Sequence, residues 1–261
     1  MQRLENRVAL VTGAARGLGA GIAGALAREG AHVVCADVLD ASATAGGLPP
    51  GPGGKRAMAI ELDVTDSQLV DQAIDQIMAK YGSLDILVCN AGVGQPIKGV
   101  LETDDAVIER VLEVNVKGVA YCCRAAGRVM REQRRGRIIN IASQAGKIGL
   151  AGWGIYCASK FAVVGLTQAL ALELGEYNVT ANAICPGTMI SDMTLTAFGE
   201  RAARDGLDRD EMLDTFGQSL PLRRLGNADD VARMVCWIAS DDASFTTGAS
   251  FNLTGGEQVF F

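Results

Sequence analysis

The sequence predicts a single α/β domain built on an open, doubly wound sheet of parallel strands with helices on both faces. Three observations lead there. Apolar strand-like runs alternate with helix-period stretches from end to end, as parallel strands joined by helical crossovers require. The strand runs are continuous Val/Ile/Leu stretches with little polar alternation, which suits strands buried on both faces. A cluster of glycines directly follows the first run. Helix-covered parallel strands also build closed barrels, but six or seven strands and those first-turn glycines favour the open sheet.

The elements follow in order along the 261 residues, read as one domain over 1–261. Residues 8–12 form the first strand, and a helix then runs through about Arg28. Residues 32–36 form the second strand. Residues 41–54 hold Gly46-Gly47, Pro49-Pro50, Gly51-Pro52 and Gly53-Gly54 and read as a flexible surface loop. The third strand is expected at 57–62, a helix at 67–81 and the fourth strand at 84–89. One long helix covers 106–133, and 137–142 is the fifth strand. A helix at 153–175, a strand at 179–184, a helix at 228–239 and a strand at 249–253 complete the pattern.

Composition excludes several classes of function. The formal net charge is −6, whereas nucleic acid and anionic membranes need basic patches. Neither is expected as a partner. His32 is the only histidine and sits in an apolar strand run, so a two-His zinc site is impossible and a Ser-His-Asp hydrolase has no usable base. The seven cysteines form no C-x-x-C, and most lie in apolar runs. They read as reduced, buried thiols of a cytoplasmic protein, and no metal site is expected. No targeting segment is seen at the N-terminus, and no apolar run comes near the roughly 20 residues of a membrane span.

In a doubly wound sheet the ligand lies outside the carboxyl ends of the strands, so strand-end residues carry the information. The first strand leads into Gly13-x-x-x-Gly17-x-Gly19, with Arg16 and Leu18 between. Glycines let the backbone approach a pyrophosphate, and the helix N-terminus supplies free N–H groups. The same pattern also serves as a tight strand-to-helix turn. A P-loop is excluded because no G-K-[ST] follows. Asp37 ends the second strand, where an acid bonds the adenosine ribose and repels a 2′-phosphate. That favours NAD over NADP, although Arg16 pulls the other way. Asp63-Val64 and Asn90-Ala91-Gly92 are further groups on this edge.

Ser143 ends the fifth strand, and Tyr156 and Lys160 stand one turn apart on one face of the next helix. A free phenol has a pKa of roughly 10, and a neighbouring ammonium lowers it towards the working range. With a serine hydroxyl on the substrate oxygen, these groups can move a proton to or from a carbinol while a cofactor takes the hydride.

Taken together, these residues resemble the short-chain dehydrogenase/reductase family over essentially the whole chain. The carriers are the turn at 12–19, Asp37, Asp63-Val64, Asn90-Ala91-Gly92, Asn115, Ser143, Tyr156-x-x-x-Lys160 and Pro186-Gly187. The resemblance implies a Rossmann-type fold with seven parallel strands. It makes Tyr156 the catalytic acid/base, with Lys160 lowering its pKa and binding the nicotinamide ribose. Ser143 orients the substrate oxygen, and Asn115 holds a water in the proton relay. Asp63 and Val64 flank the adenine, and Asn90 lies by the adenosine ribose. After Pro186-Gly187 the family has Ile or Val, one residue, then Thr around the nicotinamide amide. This chain has Met189 and Ser191 there.

The segment from Ile141 to Gly146, with Gln144 beside the substrate, and the Phe-ending tail are similar to members acting on polyols and acetoin-type hydroxyketones. Residues 188–225 correspond to the family's substrate lid. The resulting expectation is an NAD-dependent dehydrogenase of small secondary alcohols or ketones. The alternatives are an NADPH-dependent 3-oxoacyl thioester reductase and a non-catalytic dinucleotide sensor. A homotetramer is expected because the helix at 153–175 is apolar nearly all round and the tail ends Val259-Phe260-Phe261.

Overall fold

Strands β1 (Val8–Thr12), β4 (Ile86–Cys89), β5 (Gly136–Ile141) and β6 (Val179–Pro186) are buried along their whole length, as their mainly apolar sequences favour. The computed structural model describes residues 2–259. With β2 (His32–Asp37), β3 (Met58–Glu61) and β7 (Ser250–Leu253) they form one seven-stranded sheet in the order β3-β2-β1-β4-β5-β6-β7. Every pairing is parallel, and Leu10 of β1 stands level with Val34 of β2 and Leu87 of β4. The strand order reverses between β1 and β4, which opens a crevice beyond their carboxyl ends.

The two-residue period of a strand divides the sheet into two apolar layers. Leu10, Val34, Leu87 and Ile138 face α3 (Ser67–Tyr81), α5 (Val119–Gln133) and α6 (Gly154–Leu174). Val11, Val33, Val88 and Ile139 face α1 (Gly17–Arg28) and α9 (Ala228–Ala239). Asp66 caps α3 by accepting from the N–H groups of Gln68 and Leu69, and Asn227 forms a capping box with Asp230 at α9.

Three expectations need correction. Residues 41–54 are not a featureless loop but hold the short helix α2 (Ser42–Gly47) and a 3₁₀ turn at Pro52–Gly54. Buried Ala41 and Ala45 anchor α2 to the core. The long helix over 106–133 is divided. α4 (Asp105–Leu112) passes into a π-helical stretch at Glu113–Gly118 before α5 begins. There Gly118 lies so close to Val64 that a Cβ would stand 2.7 Å from its methyl carbon. The widened turn places Asn115 fully inside the protein.

The third correction concerns membrane crossing. Gly154–Tyr177 is long and apolar enough to cross a membrane by length and composition. It nevertheless carries buried Lys160 and packs along β6, as a core helix does.

Between β6 and α9 lie α7 (Asp192–Asp205) and α8 (Arg209–Ser219), whose Phe198 and Phe216 rings meet edge-to-face at 5.5 Å. All seven cysteines are buried and free. His32 is half-buried, with its ring 5.4 Å from that of Tyr81.

Candidate active site

A cavity of about 540 Å³ opens at the carboxyl edge of the sheet, over the reversal between β1 and β4. Its floor is the glycine turn. Gly13 has φ +65°, and a Cβ there would stand 2.9 Å from the Ala91 Cα. A Cβ on Gly19 would stand 2.0 Å from the Gly13 carbonyl oxygen. Only glycine fits either position.

The turn is held from three sides. Thr12 Oγ1 accepts the N–H groups of Asn90 and Ala91, each at 3.1 Å. Asn90 Nδ2 donates to the carbonyls of Thr12 and Gly13, each at 3.0 Å. Asp37 accepts the Ala15 N–H at 2.9 Å and the Leu39 N–H at 3.0 Å. Thr44 of α2 donates to the Ala15 carbonyl.

A dinucleotide pyrophosphate fits this floor. Arg16 stands at the N-cap of α1 with no side-chain cap, so the first-turn N–H groups at Gly17, Leu18 and Gly19 lack that partner where those residues line the cavity. A Cβ on Gly17 would meet nothing within 4 Å, so the space above the turn is open. Among the described residues no cluster of three or more His, Cys, Asp or Glu could hold a metal ion.

The reactive groups stand on the opposite wall. Ser143 closes β5 and caps the following 3₁₀ turn, accepting the Ala145 N–H. Tyr156 and Lys160 project from the first turns of α6. The Ser143 hydroxyl favours ionisation of the Tyr156 phenol. Burial outweighs it and pushes the phenol up to about 12. Lys160 is buried and donates to the Ile141 carbonyl at 2.9 Å, with its Nζ 5.6 Å from the Tyr156 ring centroid. Burial lowers its ammonium to about 8.

One cavity therefore gathers Arg16, Gly17, Leu18, Gly19, Asn90 and Gly92 with Ser143, Tyr156 and Lys160. Pro186, Gly187, Met189 and Ser191 complete the same lining. Gly13 and Ala91 lie directly behind it, and Asn115 lies behind Gly92. Asp37, Asp63 and Val64 sit off this cavity at the ends of β2 and β3.

Several side chains have other occupations than the sequence led us to expect. Asn90 spends its amide hydrogens on the glycine turn while the residue lines the cavity. Both amide hydrogens of Asn115 are used on the Val93 carbonyl and Ser159 Oγ, while its oxygen accepts the Val93 N–H. Asp63 is exposed and accepts from Thr65, and Val64 is buried against Gly118. Gln144 does not line the cavity. Its Nε2 donates to Glu257 at 2.6 Å, on the far side of the Pro186-Gly187 wall.

Sequence reasoning missed Gln95, Trp153 and Glu257, and gave Thr12 no role beyond opening the glycine turn. Gln95 Oε1 accepts the Tyr156 N–H at 2.7 Å, and its Nε2 donates to the Gly152 carbonyl. Trp153 packs edge-on against Tyr156 at 5.6 Å. Thr12 was legible as the last residue of β1. Gln95 and Glu257 lie in segments without periodicity, and only the folded chain shows their partners.

Comparison with known proteins agrees with this geometry. The family model described as enoyl-(acyl carrier protein) reductase matches residues 13–257. Galactitol 2-dehydrogenase of Agrobacterium fabrum is 38% identical over 98% of this chain and 99% of its own. Sorbitol dehydrogenase of Cereibacter sphaeroides is 36% identical over 98% and 99%. Carveol dehydrogenase from Mycobacterium avium, solved in complex with NAD, superposes with a TM-score of 0.90 at 28% identity, covering 98% of this chain and 99% of that one. The parallel sheet, the glycine turn at its reversal and the Ser143–Tyr156–Lys160 wall thus stand in a chain that belongs to the short-chain dehydrogenase/reductase family.

Proposed function

We propose that this protein is a dehydrogenase that moves a hydride between NAD(H) and a small secondary alcohol or ketone. A polyol, vicinal diol or hydroxyketone is the proposed substrate class. The observation that carries the reading is the single cavity with the glycine turn on one wall and Ser143, Tyr156 and Lys160 on the other. The names of the galactitol and sorbitol dehydrogenase relatives support the substrate class.

The bound nicotinamide supplies the hydride acceptor or donor, and the chain's residues do the rest. Gly17, Leu18 and Gly19 would hold the pyrophosphate on backbone N–H groups. Tyr156 Oη takes the carbinol proton in oxidation and returns it in reduction. Ser143 Oγ holds the substrate oxygen beside that phenol. Lys160 favours the phenolate by its charge and bonds the nicotinamide ribose. Met189 and Ser191 would stand by the nicotinamide amide, and Asp37 with Asp63 and Val64 would mark the adenosine end. A water at Asn115 is held through its oxygen or its main chain, since its amide hydrogens are used.

The α7–α8 pair is the substrate lid. Its Met193 and Ala197 add apolar surface to the cavity, while Thr194, Thr196 and Glu200 add polar groups. That mixture suits a small hydroxylated ligand. A reduced cytoplasmic setting is consistent with seven free, buried thiols.

The test is absorbance of reduced cofactor over a panel of polyols, diols, hydroxyketones and a 3-oxoacyl thioester, with NAD(H) and NADP(H) in parallel. The expected result is NAD-linked oxidation of a small polyol or diol. Turnover confined to the thioester with NADPH would replace this reading.

A further inference from the structure

The cavity wall that follows β6 is fastened from behind by one carboxylate near the C-terminus. Glu257 Oε2 accepts the Thr188 N–H at 2.7 Å, and Oε1 accepts the Thr188 hydroxyl at 3.0 Å and Gln144 Nε2 at 2.6 Å. Thr188 lies between Gly187 and Met189, both of which line the cavity. Gln144 directly follows Ser143. A Cβ on Gly187 would stand 2.7 Å from Glu257 Oε2, so the backbone there runs against the carboxylate itself. Gln144 gives its Nε2 to this group even though its Oε1 stays buried with no hydrogen-bond partner among the described residues. Leaving a buried acceptor bare is unfavourable, so the charge-assisted bond on the other side has to outweigh it.

Glu257 is held in turn. Its N–H donates to the Thr254 carbonyl, the Thr254 hydroxyl donates to the Gln258 carbonyl, and Leu222 N–H donates to the Gly255 carbonyl. The turn that carries the carboxylate is therefore tied to the end of the α7–α8 segment as well as to β7.

We propose that Glu257 is a positioning residue that aligns the nicotinamide side of the site, tying the Thr188 wall and the Ser143 strand end to one anion. It touches neither substrate nor cofactor and acts through Thr188 and Gln144. The inference rests on the dehydrogenase reading above. Hydride transfer depends steeply on alignment, and a misplacement of about 1 Å can cost on the order of 10²-fold. The pyrophosphate end of the site is built by other residues, so loosening this wall affects the chemical step more than cofactor affinity.

The experiment compares wild type with Glu257→Gln, which keeps the shape and removes the charge. Thr188→Val, which removes only the hydroxyl bond, is the milder second variant. Four quantities are read: kcat, the primary deuterium isotope effect with carbinol-deuterated substrate, the dissociation constant of NADH, and the fluorescence lifetime of bound NADH. For Glu257→Gln we expect kcat down by about 10-fold or more. The isotope effect rises, the bound-nicotinamide lifetime shortens and NADH affinity stays within about twofold. Thr188→Val shifts the same quantities in the same direction by less. An active wild type whose Glu257→Gln form keeps its isotope effect and lifetime overturns the positioning role alone. A parallel loss of NADH affinity and kcat without those changes does so too. A wild type that neither binds NADH nor oxidises any alcohol overturns the dehydrogenase reading and this inference with it.

Discussion

Arg16 of the glycine turn and Asp192, the first residue of α7, form an ion pair 3.0 Å long that joins two walls of the same cavity. The guanidinium that could serve a 2′-phosphate is thus engaged by α7. Asp37, meanwhile, accepts the Ala15 N–H directly before Arg16. Under the proposed preference for NAD, two carboxylates would act on cofactor choice, one by repulsion and one by engaging the competing cation. Both partners of the pair are about two-thirds exposed (70% and 66%), so the bond contributes little to stability.

Asp192→Asn is therefore expected to leave the melting temperature nearly unchanged and to raise kcat/KM with NADP by up to about fivefold, the worth of one exposed ion pair. Asp37→Asn removes the repulsion while its amide oxygen still accepts from Ala15. It costs less NAD affinity than Asp37→Ala, which leaves that N–H unpaired. The double variant Asp37→Asn with Asp192→Asn gains more NADP use than either alone. Steady-state kinetics with both cofactors decides the matter, and a double variant no better with NADP than the singles shows that Arg16 does not reach the phosphate.

Tyr156→Phe removes the only phenol oxygen in the cavity and keeps the ring against Trp153. Turnover is expected to fall by about 10²–10⁴-fold while NADH still binds. The wild-type rate of alcohol oxidation climbs with pH, because the phenolate is the base and burial holds the phenol high, at about 12 in the chain alone. Carbonyl reduction runs the opposite way. Kinetics from pH 6 to 10 on both directions test this, and a Phe variant with near-native kcat removes Tyr156 from the mechanism.

The sheet was legible because its strands are mainly apolar runs and several of them lead into polar residues such as Asp37, Asn90 and Ser143. The helix expected near 67–81 is found there, capped by Asp66 and ended by Gly82 in the left-handed region. The π-helical stretch at 113–118 was not legible, because the 3.6-residue pattern continues through it. It coincides with a long-range contact, Gly118 against Val64, that no local pattern carries.

The same division runs through the site. Ser143, Tyr156 and Lys160 were readable from residue type and spacing alone. The partner of Gln144 lies 113 residues away, and a glutamine gives no sign of which neighbour it will choose. Asn90 lines the cavity as its strand-end position suggests, but an amide there serves a ligand or its own turn equally well, and only the folded chain shows that the turn takes both hydrogens.

Lys160 illustrates the cost of keeping a charge in this site. Burial lowers its pKa from 10.5 to about 8. Between pH 8 and 10.5 the unfolded chain holds a proton that the folded chain has lost, so stability rises with pH across that window. Below pH 8 both states carry the charge and the full penalty, roughly 3 kcal/mol, is present. Lys160→Met, which keeps the length and removes the ammonium, is expected to be inactive yet more stable than wild type at pH 7, with the difference shrinking towards pH 10.5. Denaturant unfolding of the cofactor-free protein at both pH values measures this. A Met variant less stable at pH 7 shows that the Ile141 bond outweighs the desolvation.

The outer face of α6 bears on assembly. Residues Ala158, Phe161, Ala162, Gly165, Ala169 and Leu172 form an exposed stripe along the helix, interrupted by Gln168. Leu172 is 87% exposed and Phe161 46%, a pattern out of place on a surface that faces only water. The same stripe makes α6 apolar enough to pass for a membrane span, but its inner face carries Lys160 and packs on the sheet. A second copy of α6 across a two-fold axis covers such a stripe, and the small residues at 162, 165 and 169 let two helix backbones approach closely. We propose a homotetramer in which this helix pair is one of the interfaces. Val259 is 80% exposed at the other expected contact, whose Phe260 and Phe261 lie outside the described residues. A Cβ on Gly165 would meet nothing within 4 Å in the single chain, so a larger side chain fits the protomer and obstructs only a partner. Gly165→Arg is therefore expected to halve the mass seen by light scattering at micromolar concentration, with the protomer still folded by circular dichroism. A wild-type monomer would refute the assembly, and a Gly165→Arg tetramer would move the interface off this helix.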